Sequence, residues 1–165
     1  MENMIKVGMA DLAVCKYPDA LTTLGLGSCV GIALYDPVTK VSGLAHIMLP
    51  DSTKIKNNQN IAKFADTGIE ELIKQMIKIG ASKTRLVAKI AGGAQMFAFK
   101  TSTSQANDMM QVGARNVEAV KAVLKKEGIR LLAEDTGLNY GRTIEFYSEN
   151  GQLLIKRVGK ESKTI

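Results

Sequence analysis

Apolar residues recur along this chain at two periods. Strand-sized apolar runs at residues 11–16 and 20–24, alternation through 85–91, and further runs at 129–133, 143–147 and 153–158 predict β-strands. Two longer windows follow a helical period instead. In residues 61–79, Ile61, Phe64, Ala65, Gly68, Ile69, Leu72, Ile73, Met76 and Ile77 fall on one face, and Gly80 supplies a C-cap. Residues 116–126 predict a second amphipathic helix, closed by Gly128. Residues 29–35 and 41–49 flank Asp36-Pro37-Val38-Thr39-Lys40 and predict a hairpin, because proline fixes its φ in the turn. A last hairpin joins 143–147 to 153–158 through Asn150-Gly151, a strong turn signal. Polar stretches at 50–60 and 101–108 read as surface loops.

Strands outnumber helices in this reading, and two helices cannot cover both faces of a large sheet. The expected fold is therefore an α/β (α+β) layered sandwich, with stacked mixed β-sheets and the helices on one outer face. No repeat and no Pro- or Ser-rich linker divides the sequence, so residues 1–165 are expected to form a single domain.

The first hairpin brings together two residues of chemical interest. A two-residue loop pairs Asp36 with Thr39 and places Cys29 opposite His46. A four-residue loop pairs Asp36 with Val41, sets His46 opposite Gly31 and leaves Cys29 on the diagonal. Either register puts both side chains on one face, within about 4.5–8 Å at Cβ. A three-residue loop would send them to opposite faces. Val30, Ile32, Leu34, Ile47 and Leu49 make the other face a natural core face. Beside Cys29 stand the small residues Gly31 and Ala33, which leave room for a packed layer or for a substrate.

Cys29 is approached through Gly25-Leu26-Gly27-Ser28. Glycines permit a tight turn, and backbone N–H groups around Gly27, Ser28 and Cys29 can face a developing oxyanion. An imidazole on the same face activates a thiol. His46 is the one histidine of the chain, so any imidazole chemistry falls to it. A third polar group orients such a base. Thr22 and Thr23 are the local candidates, with Asp66 and Asn116 more distant ones. Against this stands the plain alternative that free cysteines are mostly inert packing residues, which is the expectation for Cys15. Cys15, Cys29 and His46 match no metal-site spacing, and Gly25-x-Gly27 lacks the helix and Lys-Ser/Thr of a phosphate loop.

Composition narrows the function further. The net charge is +6, but aromatics are only 5% and Trp is absent, with lysines scattered over helix faces and the tail. That footprint speaks against nucleic-acid binding. Apolar runs are too short for a membrane-spanning helix, and the N-terminus lacks a secretory apolar core, so a cytoplasmic location is expected. The two cysteines, in a reducing compartment, are expected to be free.

A family resemblance rests on these same residues. Thr23-Leu24-Gly25-Leu26-Gly27-Ser28-Cys29-Val30 and Ala45-His46-Ile47-Met48-Leu49-Pro50 closely resemble the two signatures of CheD, the chemoreceptor glutamine deamidase family of bacterial and archaeal chemotaxis. Phe64-Ala65-Asp66, Lys89-Ile90-Ala91-Gly92-Gly93-Ala94-Gln95-Met96-Phe97, Gly113-Ala114-Arg115-Asn116, Glu134-Asp135-Thr136-Gly137 and Gly141-Arg142 extend the likeness over nearly the whole chain. The resemblance implies a sandwich similar to the deamidating domain of cytotoxic necrotizing factor toxins. It implies hydrolysis of glutamine side-chain amides on cytoplasmic helices of methyl-accepting chemotaxis receptors, and a side activity on glutamyl methyl esters. By the same resemblance Cys29 is the nucleophile, His46 the base and Thr23 the orienting residue, with no metal or organic cofactor. A CheC-type phosphatase is the implied regulatory partner. The sequence departs from the family pattern at Leu138, where many members carry a second glycine, and in a longer 101–108 segment.

Two other functions share these features. A non-catalytic binding protein of the chemotaxis machinery would keep its function in Cys29→Ala. A cysteine peptidase or transglutaminase-like enzyme would cleave backbone or incorporate amines, although the short chain offers no second lobe to form a cleft.

Overall fold

A computed structural model describes residues 3–95 and 111–165. The polar stretch 101–108, together with Met96 and Phe97, lies outside the described residues.

The strands are β1 (Met4–Val7), β2 (Asp11–Lys16), β3 (Ala20–Leu26), β4 (Val30–Asp36), β5 (Val41–Ile47), β6 (Val87–Gly92), β7 (Arg130–Thr136), β8 (Arg142–Tyr147), β9 (Leu153–Arg157) and β10 (Lys163–Thr164). The α-helices are α1 (Ala65–Lys78) and α2 (Val112–Lys126). The strands form two five-stranded sheets, one in the order β1-β3-β8-β9-β10 and the other in the order β2-β5-β4-β6-β7. Both are mixed: β1 runs parallel to β3, and β6 parallel to β7, while the other pairs are antiparallel.

Side-chain alternation on the second sheet builds two apolar layers. Val30, Ile32, Leu34, Ala45 and Ile47 point to one side and pack with Ile69, Leu72, Met76, Val120 and Leu124 of the helices. Cys29, Ala33, Tyr35 and Leu44 point the other way and pack with Leu21, Ile144, Phe146 and Leu153 of the first sheet. The layers are thus sheet, sheet, helices, as the strand and helix count predicts. Every residue of β4 and β5 is buried, because both faces of these central strands are covered. Burying one Leu or Ile is worth about 1.5–3 kcal/mol, so these layers supply much of the folding free energy. Gly43 lets α1 approach closely: a Cβ there would stand 2.7 Å from Met76 Sδ.

Several boundaries shift from the sequence reading, each for a local reason. Residues 61–63 form a 3-10 turn capped by Asn60, and Phe64 is extended to bridge Leu49, so α1 starts at Ala65. The second helix starts at Val112, ahead of the predicted 116, and includes the weak helix former Gly113, which is seated by close contact: a Cβ on it would lie 2.5 Å from the Gly93 and Ala94 carbonyl oxygens. Strand β3 continues past Leu24 through a bulge at Gly25, whose φ is +68°. Cys29, predicted as a strand residue, sits in a bend just before β4. The edge strands β1 and β10 are too short to show a period.

Candidate active site

The first hairpin adopts the four-residue loop. Asp36 pairs with Val41, and His46 stands opposite Gly31. Cys29 precedes β4 and shares the inter-sheet layer with Ala33. Gly31 is filled by packing: a Cβ there would meet Ile144 Cδ1 at 2.7 Å and Leu26 Cδ1 at 3.2 Å.

His46 is 1% exposed and Thr23 is fully buried. The two come from different sheets, His46 from β5 and Thr23 from β3. Thr23 Oγ1 lies 2.7 Å from His46 Nδ1. The same hydroxyl donates to the Val7 carbonyl at 2.8 Å. A threonine hydroxyl carries one hydrogen. Once Val7 receives it, Oγ1 can only accept from Nδ1–H, so Nδ1 holds the imidazole proton. His46 Nε2 then carries the free lone pair. It is buried and has no hydrogen-bond partner among the described residues. The other candidates for this position are occupied elsewhere. Thr22 Oγ1 donates to the Ile144 carbonyl at 2.7 Å. Asp66 accepts from Ser52 N and Ser52 Oγ at 3.1 and 2.7 Å.

The turn before Cys29 is held by its carbonyls. Ala94 N donates to Gly27 O at 2.8 Å, Asn116 Nδ2 to Ser28 O at 2.9 Å, and Gly93 N to Cys29 O at 2.8 Å. The N–H groups of Ser28 and Cys29 pair with no carbonyl among the described residues. Gly92 makes this close packing possible, with φ at +110° and a Cβ position only 2.3 Å from Cys29 O. Arg142 braces it from behind. Its fully buried guanidinium donates to Asp135 at 3.0 Å and to the carbonyls of Gly137 and Gly92 at 3.1 and 3.5 Å.

Burial sets the protonation states. It pushes the Cys29 thiol above its ordinary pKa, an effect partly offset by the residue's own N–H. Burial also holds the His46 imidazole below its ordinary value. The resting pair is therefore a neutral thiol and a neutral imidazole, and an unprotonated Nε2 is available near neutral pH. Cys15 is also buried and raised, and its sulfur lies 3.3 Å from Ser148 Oγ. Among the described residues no group of three or more His, Cys, Asp or Glu side chains is placed to hold a metal ion.

A cleft of about 760 Å3 lies between α2 and the β7–β8 loop, lined by Gly93, Val117, Lys121, Thr136 and Leu138 among others. None of Thr23, Cys29 and His46 lines it. Cys29 belongs to the inter-sheet layer, whereas Val117 packs on the helical side of the second sheet.

Sequence reasoning placed Cys29, His46 and Thr23 in one site, and the structure brings Thr23 and His46 into contact and Cys29 into the same layer. It did not foresee the Val7 carbonyl or the Arg142–Asp135 pair. Both depend on how strands pack rather than on a repeating period, since Val7 stands beside Thr23 across a parallel strand pair and Asp135 and Arg142 flank the loop between β7 and β8.

The fold and site define a sheet–sheet–helix sandwich that buries a hydroxyl, an imidazole and a thiol between its sheets. The sequence model described as CheD chemotactic sensory transduction matches residues 48–157. The relatives agree along their full length. A probable chemoreceptor glutamine deamidase CheD of Lachnoclostridium phytofermentans is 67% identical, with 100% of both chains covered. One of Caldanaerobacter subterraneus subsp. tengcongensis is 61% identical over 99% of this chain and 98% of its own. The chemoreceptor glutamine deamidase CheD of Halalkalibacterium halodurans is 52% identical, again over 100% of both. This chain belongs to the CheD family.

Proposed function

We propose that this protein is a protein-glutamine amidohydrolase that converts selected glutamines on the cytoplasmic helices of chemotaxis receptors to glutamate, releasing ammonia. The observation that carries the reading is the Thr23–His46 bond, which leaves Nε2 as a free base in the layer that holds the Cys29 thiol. The names of the full-length relatives support the substrate.

In this mechanism Nε2 of His46 takes the thiol proton as Sγ of Cys29 attacks the amide carbon of the glutamine. The oxyanion is met by the N–H groups of the Ser28–Cys29 turn, whose carbonyls are all engaged elsewhere. The C–N bond breaks as Nε2 returns the proton to the leaving nitrogen, giving ammonia and a thioester. Water, deprotonated by the same nitrogen, cleaves the thioester to glutamate and restores the thiol. Every proton passes through Nε2, which is why the tautomer fixed by Thr23 matters. A glutamyl methyl ester reaches the same thioester by losing methanol, so esterase activity on receptors belongs to this proposal.

The family resemblance extends the proposal to a cytoplasmic setting and to regulation by a CheC-type phosphatase. No helix among the described residues is long and apolar enough to cross a membrane. The test is intact mass of a receptor cytoplasmic fragment incubated with wild-type protein and with Cys29→Ala. A gain of about one dalton per converted glutamine, with wild type only, is the expected result of amide-to-acid exchange through a cysteine. Binding without a mass change by either protein would instead favour a regulatory binding module.

A further inference from the structure

We propose that Asn116 is a positioning residue of this site, which orients the Ser28–Cys29 peptide and ties it to the chain leaving His46. The inference rests on the hydrolase reading above for its catalytic consequence, though not for its geometry.

Asn116 is fully buried on α2, in the stripe Gly113, Asn116, Val120 and Leu124 that faces the second sheet. A carboxamide has two N–H donors, and here both are spent on backbone carbonyls. One goes to Ser28 O and the other to Met48 O, each at 2.9 Å. The orientation of the amide is fixed by those partners, since the opposite one would set Oδ1 against two carbonyl oxygens. Ser28 immediately precedes the thiol residue. Met48 follows His46 by two positions, just beyond the end of β5. A single side chain thus joins the nucleophile's turn to the base's strand.

The catalytic consequence follows from peptide geometry. In a trans peptide the C=O and N–H point in opposite directions. The Ser28 carbonyl and the Cys29 N–H belong to one peptide unit. When Asn116 holds that carbonyl, the Cys29 N–H is turned away from α2. The sulfur lies on that side, and the N–H interacts with it and favours its thiolate. The same N–H is then placed to meet an oxyanion formed on carbon bonded to that sulfur. Packing alone is a poor account of this residue. An apolar side chain of the same size would fill the space but leave the Ser28 and Met48 carbonyls without these donors, while Oδ1 itself is buried with no partner among the described residues. Gly113, whose missing side chain seats α2 against the Gly93 and Ala94 carbonyls, sets the depth at which Asn116 reaches both targets.

The test compares wild type with Asn116→Ala, Asn116→Gln and, as a packing control on the same helix, Val120→Ala. Two readouts are taken below each variant's melting range. The first is kcat and KM for deamidation of a receptor fragment. The second is the pH profile of Cys29 alkylation by iodoacetamide, with the modified cysteine located by peptide mass spectrometry. Asn116→Ala is expected to lose about 10- to 100-fold in kcat, with KM within about threefold, because an oxyanion donor is misaimed. Its alkylation profile is expected to move to higher pH, and Val120→Ala to match wild type on both readouts. Asn116→Gln keeps the amide but displaces it, and takes an intermediate place; it carries the test if the alanine variant does not fold. An unchanged kcat and alkylation profile in a folded Asn116 variant would overturn the proposal, as would a matching loss in Val120→Ala. If wild type leaves the receptor fragment unmodified while the alkylation profile still shifts in Asn116→Ala, the positioning role stands and the deamidase reading falls.

Discussion

Thr23 Oγ1 and His46 Nδ1 lie 2.7 Å apart and belong to different sheets, so the imidazole is oriented by the packing of one sheet on the other. The hydroxyl's own hydrogen goes to Val7 O on the neighbouring edge strand, which makes the threonine an acceptor toward the ring. A fixed Nδ1–H tautomer is what an Nε2 base requires.

Replacing Thr23 with Val keeps the shape and removes this acceptor. The expected result is a kcat loss of about 10²-fold or more with KM nearly unchanged, as for loss of a positioned proton-transfer partner. The unpaired Nδ1 and Val7 carbonyl are also expected to cost about 1–3 kcal/mol of stability. Steady-state kinetics at a temperature where the variant is folded separates the two effects. Thr23→Ser is expected to retain most activity.

The pH dependence follows from burial. His46 is held below its ordinary pKa of about 6.5, and the proposed mechanism uses its neutral form. The acid limb of kcat/KM is therefore expected below pH 6.5. The stability contribution has the same sign: it is fully present above about pH 6.5 and is lost as pH falls through the lower folded-state value. In the free enzyme, alkylation of Cys29 is expected to rise only above the ordinary thiol pKa of about 8.5, because burial raises it. A pH–rate profile with an acid limb above 6.5 would contradict this account of the imidazole.

How much of this was legible in the sequence varies by element. The Asp36–Lys40 turn and the β-rich flanks allowed two hairpin registers with Cys29 and His46 on one face, and the structure takes the one that pairs Asp36 with Val41 and Gly31 with His46. The stripe from Ile61 to Ile77 predicted α1, although Asn60 and the Leu49–Phe64 bridge trim its first turn. Cys29 itself was misplaced into a strand, because the carbonyl clamps from Gly93, Ala94 and Asn116 that bend the chain there come from remote residues. Asn116 appeared in the sequence as a remote candidate to orient the imidazole, and it bonds to the Ser28 carbonyl in the turn before Cys29 instead. Contacts of this kind depend on tertiary packing, which no local period encodes.

Asp36 makes a structural prediction independent of the chemistry. Despite burial, which opposes its charge, its carboxylate is held far below the ordinary range by the Arg85 guanidinium and by the N–H groups of Ser82, Val38 and Thr39. Arg85 Nε and Nη2 reach it at 3.0 and 2.8 Å. Asp36→Ala removes the anchor between the first hairpin's turn and the segment before β6, and leaves several donors unpaired. A loss of about 2–4 kcal/mol in urea unfolding is expected, with kcat near wild type at low temperature.

Leu138 gives a change in the opposite direction. It follows Gly137 in the β7–β8 loop, with φ at +60° and its side chain 65% exposed. A non-glycine residue in the left-handed region costs about 1–2 kcal/mol. Leu138→Gly is expected to change stability by a gain of up to about 1 kcal/mol, since glycine's greater freedom in the unfolded chain offsets part of the relief. The midpoint of chemical denaturation checks it.

The central claim is that the Cys29 sulfur attacks a glutamine side-chain amide. Acid-quenched mixtures of the protein and a receptor cytoplasmic peptide, followed over the first turnovers by intact mass, test it directly. The expected result is a transient adduct equal to the peptide less ammonia, mapped to Cys29, absent from Cys29→Ala and decaying as glutamate-containing peptide appears. Conversion of glutamine to glutamate by Cys29→Ala at the wild-type rate, with no adduct on either protein, would contradict it.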